Sequence, residues 1–496
     1  MAIIGAGSAG CVLAARLSES GERSVLLLEA GPDYAARDDL PPDIASAWMP
    51  TRSHDWGLSS EPDPPGRAVE LPRGRLVGGC SATNATFALR GSPADYDSWV
   101  ALGNSGWSFD EMLPAFKAAE RDLDYPEEDW HGRGGPLPIR RYRGDEIGPT
   151  HAATLAAATA LGYPQVADHN RPWAVGAGMI PFTALDGVRM STALTYLAEA
   201  RGRPNLTIRP NLLVDRIECR RRRAIGVRIA QPAETIDAAE IVLAAGAYGT
   251  PLILMRSGIG PATALASLGI DVVADLAGVG EGLVDHPLLS VDFPAQPEPP
   301  GPRFQVGVTL HSSTADPSGA PDLFLGSSSG LELGASPTGS GFMLLVSVLQ
   351  PRSRGRIELR SGDPSVAPRI DPAHLRDEMD LDRMVEGIQA ARRLAGQPPL
   401  AALTSGPELA PGPDIAEDDA AGLEAFARAT VTTFHHPVGT CRMGPDPTQG
   451  AVVDPRGRVH GVDGLRIADA SIMPEIPSAP TNLATITLAE RIARWV

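Results

Sequence analysis

The sequence opens on a pattern that restricts the fold of everything after it: a short apolar run, three glycines at G-x-G-x-x-G spacing, and a helical pattern. Residues 2–4 predict a buried strand and residues 12–17 predict a helix. Gly5 would allow the tight turn, Gly7 the close approach of a pyrophosphate to the backbone, and Gly10 the contact between helix and strand. The sequence therefore predicts the first βα unit of a Rossmann-like sheet, with its helix N-terminus facing phosphate groups.

The second half of the same unit follows at the expected distance of about twenty residues. Residues 24–28 form a mostly apolar run, which is typical of a parallel strand buried on both faces. Glu29 comes directly after this run, at the place where an acid binds a ribose hydroxyl of a dinucleotide. Its carboxylate would repel the additional phosphate of NADP, so the pattern predicts NAD or FAD.

Length and charge limit the fold class and exclude several functions. A chain of 496 residues is too long for one simple core, so we expect two domains or one two-lobed unit. The formal net charge of −17 argues against a nucleic-acid or anionic-membrane surface. No apolar run is long enough to span a membrane. We therefore predict no nucleic-acid partner and no membrane span, and we assign no metal site.

Cysteine usage indicates the cellular compartment. The four cysteines, Cys11, Cys80, Cys219 and Cys441, are far apart and form no CxxC pair. This usage is typical of a reduced intracellular protein rather than of a disulfide framework. No positively charged leader with an apolar segment precedes the first strand, so secretion is not expected. The sequence predicts a cytoplasmic location.

Further motifs follow the first one in a fixed order. They are the glycine-rich loop 74–84, the strand-like run 241–247 that ends on small residues, the segment SGIGP at 257–261, and HHPVGTCRMG at 435–444. Together with G-x-G-x-x-G and Glu29, these motifs resemble those of the glucose–methanol–choline (GMC) oxidoreductases, which are FAD-dependent enzymes that mostly oxidise alcohols. The resemblance extends over nearly the whole chain, from the first glycine-rich loop to the closing helix.

This resemblance implies an α/β fold (α+β overall) in which a Rossmann-like FAD-binding domain is combined with a discontinuous substrate domain built on an antiparallel sheet. The FAD-binding domain would consist of residues 1–95, 204–285 and 434–496. The substrate-binding domain would consist of residues 96–203 and 286–433.

Local patterns add some detail to the second domain. Residues 147–161 predict a helix and residues 341–348 predict a strand. The four arginines at 220–223 stand between two alternating runs and predict a solvated hairpin tip rather than a nucleic-acid site. The Pro-rich stretch 294–302 and the Ser/Gly-rich stretch 312–341 predict mobile surface loops, either at the substrate entrance or without function.

The resemblance also implies FAD as the cofactor and assigns its contacts. The first glycine-rich loop would hold the pyrophosphate, Glu29 the adenosine ribose, and the backbone of Val214 the adenine. The remaining residues would lie along the ribityl chain and the flavin ring. The complete predicted set is Gly5, Ala6, Gly7, Ser8, Ala9, Gly10, Glu29, Gly79, Ser81, Asn84, Val214, Asp469, Ala470, Asn482 and Thr485. Thr83 stands where some choline-oxidising members carry a histidine bonded covalently to the flavin, so we predict non-covalent FAD.

Alcohol oxidation by a flavin needs a base for the hydroxyl proton, and histidine is suited to this task near neutral pH. By resemblance, His436 matches the family's catalytic histidine, while His435 either faces the other way or contacts substrate. The family normally adds a second His or Asn near the start of the closing helix, although some members carry proline there. This chain has Pro480, whose side chain neither donates nor accepts hydrogen bonds. The sequence predicts His436 as a lone base, with Asn482 as a further candidate near the flavin or the pocket.

The leading prediction is therefore an FAD-dependent oxidoreductase that transfers a hydride from the CH–OH carbon of a small or medium alcohol to flavin N5, with His436 as general base. An alternative is an FAD-containing non-redox lyase of the hydroxynitrile lyase type, because Pro480 puts the usual alcohol pose in doubt. A light-driven decarboxylase is not favoured, because no cysteine lies between Cys219 and Cys441. The electron acceptor stays open between oxygen, a quinone and another carrier.

Overall fold

The computed structural model describes residues 1–62, 66–231 and 233–496. Positions 63–65 and 232 belong to the predicted FAD-binding segments, and what the sequence predicts for them lies outside the described residues. None of the helices in the described ranges combines the length and the apolar character that crossing a membrane requires.

The α-helices of the described residues vary from a single turn to five turns. In chain order they are α1 Ser8–Leu17, α2 Pro42–Ala45, α3 Pro93–Ala101, α4 Phe109–Ala119, α5 Pro149–Ala160, α6 Ala198–Ala200, α7 Gly246–Arg256, α8 Ala262–Ser267, α9 Glu378–Ala395, α10 Pro398–Ala401, α11 Ala420–Thr430 and α12 Thr481–Ala493.

The β-strands of the described residues include two long runs with no α-helix between their members. In chain order the strands are β1 Ala2–Ile4, β2 Val25–Leu28, β3 Glu120–Asp122, β4 Leu137–Ile139, β5 Ala177–Met179, β6 Ala184–Leu185, β7 Val188–Arg189, β8 Leu206–Arg209, β9 Leu213–Arg220, β10 Arg223–Gln231, β11 Glu234–Asp237, β12 Ile241–Leu243, β13 Ile259–Gly260, β14 Ala274–Asp275, β15 Glu281–Leu283, β16 Pro287–Pro294, β17 Phe304–Leu310, β18 Leu323–Glu332, β19 Ser340–Val348, β20 Gly355–Glu358, β21 Arg369–Asp371, β22 Thr432–Thr433 and β23 Leu465–Ile467. The two runs are β8–β12 and β14–β21.

The first strand lies at the centre of a five-stranded sheet with the order β23-β12-β1-β2-β8. Ala2 pairs with Leu26 on one side and with Ile241 on the other. All five strands are parallel, and most of their apolar side chains are buried in a cluster that also contains residues of α1 and of the β9–β10 hairpin. Their carboxyl ends therefore meet at one edge, which is where open parallel sheets bind ligands.

A second, larger sheet is antiparallel and has the order β22-β16-β19-β18-β17-β5. Its face packs against α9, whose buried residues include Leu381, Met384 and Ile388. All of its strands fall in the two segments predicted for the substrate domain, and all strands of the parallel sheet fall in the three predicted FAD-binding segments. The α/β fold with an antiparallel second sheet is confirmed, while the exact domain boundaries stay a prediction.

One part of the predicted substrate segment packs with the parallel sheet instead. Tyr96 and Trp99 of α3 and Phe116 of α4 belong to the same buried apolar cluster as Ile3 and Leu27. The Tyr96 ring contacts both of the others, with its centroid 5.1 Å from that of Trp99 and 5.6 Å from that of Phe116. The large apolar area of these side chains is what attaches α3 and α4 to the first core.

The local predictions gave mixed results. The helix predicted at 147–161 is α5, and the strand predicted at 341–348 is β19. The arginine run forms the tip of the β9–β10 hairpin, where Arg221 and Arg222 have φ values of +50° and +61°. The prediction of a mobile loop over 312–341 is wrong in its centre.

That centre is β18, which pairs on both sides within the six-stranded sheet. Its first seven residues are buried, including Ser327 and Ser329. Their hydroxyl groups lie 2.7 Å and 3.1 Å from the two ring nitrogens of His151 on α5. Because these buried serines have polar partners, a Ser/Gly-rich sequence can be an interior strand.

A buried ion network joins the segments on either side of β3 and β4. His131 places Nδ1 2.8 Å from Glu120 Oε1 and 3.3 Å from Asp122 Oδ2, and places Nε2 2.9 Å from Asp168 Oδ2. Arg90 pairs with Glu120, and Arg141 binds both aspartates. Burial alone would lower the pKa of His131, but the hydrogen bonds to Asp168 and Glu120 outweigh it and raise that pKa. The network has equal numbers of positive and negative groups when the imidazole is protonated.

Candidate active site

Four loops meet at the carboxyl edge of the parallel sheet. They follow β1, β2, β12 and β23 directly, and they begin at Gly5, Glu29, Ala244 and Ala468. The strands bring together residues that are up to about 460 positions apart in sequence because parallel strands end at a common edge. The edge also receives the loop 74–84, since Gly78 N donates to Ala6 O at 2.7 Å.

The first loop has the tight geometry that its glycines predict. Gly5 has a φ of +94°, and a Cβ at that position would lie 2.6 Å from Ala244 O. A Cβ at Gly10 would lie 1.8 Å from Gly5 O, whereas a Cβ at Gly7 would meet only Gly79, at 3.9 Å. Gly7 also precedes α1 without any side-chain cap. The N–H groups of the first turn therefore have no side-chain cap, which leaves them available to an anion.

Glu29 holds this loop in place. Its Oε2 accepts from Ala6 N at 2.9 Å and its Oε1 accepts from Gly31 N at 2.9 Å. Burial raises the pKa of the Glu29 carboxyl, although these two hydrogen bonds act in the opposite direction. Each carboxylate oxygen has a further lone pair, so Glu29 can still accept from a ribose hydroxyl.

The second glycine-rich loop lies directly against the first one. A Cβ on Gly79 would lie 2.6 Å from Gly7 Cα. Ser81 Oγ donates to Gly78 O at 2.6 Å, and Asn84 Oδ1 accepts from Thr86 N at 2.9 Å. The polar groups of Ser81 and Asn84 therefore shape this loop, and their contacts with the flavin stay a prediction.

Asp469 fixes the start of α7 from the end of β23. Its Oδ2 accepts from Gly246 N at 2.9 Å and from Thr250 Oγ1 at 2.6 Å, while its Oδ1 accepts from Ser471 N at 2.8 Å. Ala470 follows and accepts at its carbonyl from Gly439 N at 3.3 Å. The structure therefore joins the predicted ribityl–phosphate residues to the segment that carries the histidines.

The closing helix α12 also contacts the first loop. Asn482 Oδ1 accepts from Ser8 Oγ at 2.7 Å, so two predicted site residues 474 positions apart are in contact. Thr485 Oγ1 donates within its own helix to Thr481 O at 2.7 Å. Val214 lies in the β9–β10 hairpin, where it pairs with Ile229 and is 5% exposed. The predicted roles of Asn482, Thr485 and Val214 toward the cofactor stay predictions.

His436 is held at both its backbone and its ring. Its N–H donates to Asp285 Oδ1 at 2.8 Å, and its Nδ1 lies 2.9 Å from Nδ1 of His286. Its ring centroid is 4.7 Å from that of Phe434. Burial, followed by the neighbouring His286, His435 and Arg73, lowers the pKa of His436 well below its usual value. The imidazole is therefore neutral near pH 7 and able to accept a proton.

His435 has a different environment from its neighbour. It has a φ of +69°, and its side chain is exposed. Its N–H donates to Thr433 Oγ1 at 2.7 Å, and its carbonyl accepts from Arg73 Nη2 at 2.9 Å. This turned backbone points the two adjacent imidazoles into different surroundings, so His436 has the more enclosed one.

The structure places beside His436 a residue that the sequence does not point to, His286, while the prediction of His436 as a lone base stays a prediction. His286 is fully buried, and its Nε2 lies 3.0 Å from Leu349 O. Burial lowers the pKa of its imidazole to about 3, against the effect of that hydrogen bond. It is 150 positions from His436, and no spacing rule connects them. The only local signal is a polar Asp285–His286 pair directly before an apolar strand.

Pro480 lies where the sequence predicts it, immediately before α12, and it is buried. Ser478, two residues before Pro480, donates through Oγ to Asp95 Oδ2 at 2.6 Å, and Asp95 Oδ1 accepts from Gln350 Nε2 at 2.9 Å. Gln350 directly follows Leu349, the acceptor for His286. The segment before α12 is thus connected through Asp95 and Gln350 to the strand end that supports His286.

The residues at this edge fit FAD. The uncapped start of α1 after Gly7 and the remaining lone pairs of Glu29 match a dinucleotide. Family models described as GMC oxidoreductase match residues 1–288 and 351–489. The chain belongs to the GMC oxidoreductase family.

Individual relatives agree with this assignment over the whole length. The chain is 38% identical to a 5-(hydroxymethyl)furfural oxidase of a Methylovorus species, covering 99% of this chain and 97% of that one. It is 35% identical to an oxygen-dependent choline dehydrogenase of Photobacterium profundum, with coverage of 99% and 91%. Pyridoxine 4-oxidase from Mesorbium loti superposes with a TM-score of 0.92 at 35% identity, over 100% of this chain and 98% of that one.

These findings confirm several predictions made from the sequence. The protein is an FAD-dependent oxidoreductase of the GMC type, and the family's donors are CH–OH groups. The relatives named above are oxidases and a dehydrogenase, and they give no support to the hydroxynitrile lyase alternative.

Proposed function

We propose that the protein oxidises a small aromatic or heteroaromatic primary alcohol to the aldehyde, with His436 as the base. The observation that carries this proposal is the position of the His436 imidazole, which is neutral, held by Asp285 and His286, and placed at the edge of an aromatic cluster. Bound FAD supplies the chemistry of hydride acceptance. The names of the furfural oxidase and the pyridoxine oxidase both describe action on such ring-bearing alcohols.

The aromatic cluster begins at His436 and continues into the six-stranded sheet. Phe434 contacts the His436 ring and lies 5.9 Å from Phe324. Phe87 and Phe304 lie in the same apolar region, 5.5 Å apart. Apolar walls of this kind favour a flat ring over a small polar alcohol, because they bury its apolar surface.

The chemistry required of His436 is proton transfer. A substrate hydroxyl would donate to the imidazole and lose its proton as the carbinol C–H bond breaks. A general base of this kind contributes about 10²- to 10⁴-fold to a rate. The low pKa of His436 keeps it unprotonated, and the Asp285 clamp on its backbone reduces the freedom of the ring.

The cofactor is proposed to be bound without a covalent link. Thr83 is 9% exposed and its N–H donates to Cys80 O at 3.2 Å. A hydroxyl group does not form the ring-nitrogen bond that a histidine forms at this place in some members. Precipitation with acid, followed by a spectrum of the supernatant, is expected to release the yellow chromophore, and a yellow pellet would contradict the proposal.

The main experiment is anaerobic reduction of the flavin in wild type and in His436→Ala. We expect a hydroxymethyl-substituted furan or benzyl alcohol to bleach the wild-type flavin, and we expect His436→Ala to slow this step about 10²- to 10⁴-fold. His435→Ala is the matched substitution one position away, and we expect its rate of flavin reduction to fall far less. Equal losses in both variants, or unchanged reduction by His436→Ala, would remove His436 from this role.

The substrate class is tested with the same readout. Choline is the useful comparison, because an aromatic cluster can also bind a quaternary ammonium group. Reduction by choline but not by the aryl alcohols would overturn the proposed class. Repeating the assay in air with peroxide detection tests molecular oxygen, which we propose as the electron acceptor because the named relatives include oxidases.

We also propose a cytoplasmic location. All four cysteines are free, and burial raises the pKa of Cys11 to about 12. Free buried thiols are typical of reducing compartments. Fractionation of the producing cells should place the flavoprotein with cytoplasmic markers, and recovery outside the cytoplasm would contradict this location.

A further inference from the structure

We propose that His286 is a positioning residue that sets the tautomer of His436, so that Nε2 of His436 is the proton-accepting atom. In this way His286 would provide a second polar group beside the base, which Pro480 cannot supply. The proposal rests on the proposed role of His436 in alcohol oxidation. It is argued from the hydrogen bonds that connect Leu349, His286 and His436.

The argument starts at the backbone carbonyl of Leu349. A carbonyl oxygen only accepts hydrogen bonds, and it lies 3.0 Å from Nε2 of His286. That nitrogen therefore carries the proton. His286 is fully buried, and burial keeps its imidazole neutral. A neutral imidazole has one N–H group, so Nδ1 of His286 is left with a lone pair.

The second step follows from the contact between the two rings. The Nδ1 atoms of His286 and His436 lie 2.9 Å apart, which is a hydrogen-bond distance. Since Nδ1 of His286 can only accept, Nδ1 of His436 must be the donor. His436 is also neutral, so its Nε2 has no proton. The lone pair on that atom is the base available to a substrate hydroxyl.

The rigidity of this pair makes the tautomer a fixed property of the site. The rings cross at 87° with their centroids 5.1 Å apart. Asp285 holds the His436 backbone at 2.8 Å, and Phe434 N donates to His286 O at 2.9 Å. In the Ser-His-Asp triad a wrong histidine tautomer costs about 10⁴ in kcat. We expect a histidine that exchanges freely between its tautomers to lose less activity than a histidine locked in the wrong tautomer.

A matched pair of variants separates the tautomer effect from simple damage. His286→Asn keeps an acceptor, since its Oδ1 has the same place as Nδ1 of histidine. His286→Leu has nearly the same shape as asparagine without the acceptor. Both variants lose the bond to Leu349 O, so both are expected to be destabilised to a similar degree. Any difference between them reports on the acceptor that faces His436.

We expect His286→Leu to slow anaerobic flavin reduction about 10- to 10³-fold, below the limit set by a wrong tautomer, while His286→Asn retains most of the rate. A second readout does not depend on activity: ¹⁵N NMR of histidine-labelled holoenzyme distinguishes protonated from unprotonated ring nitrogens. The His436 signals are assigned by their loss in His436→Ala. We expect a protonated Nδ1 and an unprotonated Nε2 in wild type and His286→Asn, and averaged signals in His286→Leu.

The outcomes distinguish failure of this proposal from failure of the proposed function. A protonated Nε2 on His436 in the wild type, or equal rate losses in the Asn and Leu variants, would overturn the role of His286. If His436→Ala is slow but the two His286 variants behave alike, only the tautomer proposal fails. If His436→Ala reduces its flavin normally, the assignment of the base itself fails, whatever the spectra show.

Discussion

The close contact between the two glycine-rich loops can be tested at Gly79. A Cβ at this position would lie 2.6 Å from Gly7 Cα, and Gly79 has a φ of +51°. Gly21 offers a matched control, because it has a φ of +76° and its added Cβ would meet nothing within 4 Å. Substituting alanine at both positions therefore imposes the same backbone penalty, but a steric clash at one position only.

The magnitudes follow from these geometries. Left-handed backbone costs an alanine about 1–2 kcal/mol, and Gly21→Ala should lose no more than this in unfolding free energy. Gly79→Ala adds a carbon–carbon contact roughly 1 Å shorter than the optimal separation. Overpacking of this kind costs about 1–3 kcal/mol. Relief requires the loops to separate, so we expect FAD affinity to fall about 5- to 150-fold, at tenfold per 1.4 kcal/mol.

The assay is titration of the apoproteins with FAD, followed by flavin fluorescence, together with thermal unfolding with and without excess FAD. Gly21→Ala should bind FAD like the wild type and unfold at a slightly lower temperature. Gly79→Ala should bind FAD more weakly and gain less thermal stability from it. If Gly79→Ala keeps wild-type FAD affinity, the contact between the two loops does not control the cofactor site.

Two further predictions concern buried carboxylates and their partners. Asp285→Asn should slow flavin reduction more than it weakens FAD binding. The reason is that an amide accepts only through its oxygen, so the hydrogen bond that holds the His436 backbone is weakened. Equal effects on both quantities would contradict this prediction. His131→Gln should lower stability by about 3–5 kcal/mol near pH 6, because it leaves three buried carboxylates, on Glu120, Asp122 and Asp168, with only two positive partners, Arg90 and Arg141. The raised pKa of His131 makes its contribution complete below its unfolded value near 6.5, and this contribution is lost as pH rises through the folded value. The difference in Tm between wild type and variant should therefore shrink in alkaline buffer. A difference that stays constant with pH would contradict the stabilising role of the protonated His131.

The cofactor half of the protein could be predicted because its signals are local. Gly5 and Glu29 follow their strands directly, and parallel pairing alone places them at one edge. The backbone of a tight turn depends on a few neighbouring residues, so the motif determines the geometry. The packing of these loops against 74–84 agrees with that prediction, with Gly78 N bound to Ala6 O.

The substrate half was harder to predict because long-range contacts override composition there. The Ser/Gly-rich sequence of β18 has a low intrinsic strand preference, but its residues pair with β17 and β19 on both sides. Ser327 and Ser329 can be buried only because His151, from a helix more than 170 positions earlier, provides their hydrogen bonds. A window of sequence contains none of these partners, so the sequence alone predicts a loop.

The contact between His286 and His436 also could not be predicted from a window of sequence, because it depends on the pairing of two distant segments. Val284 and Val438 form a bridge, and Val438 N donates to Val284 O at 2.8 Å. A short distance away, Pro287 pairs with Thr433 where β16 meets β22. Between these two antiparallel contacts lie two residues on the first segment, 285–286, and four on the second, 434–437. The second segment must therefore bulge. The bulge contains the left-handed His435 and directs the next ring onto His286. The polar partner that the sequence could not place is therefore set by strand register, a property that exists only once both segments are paired.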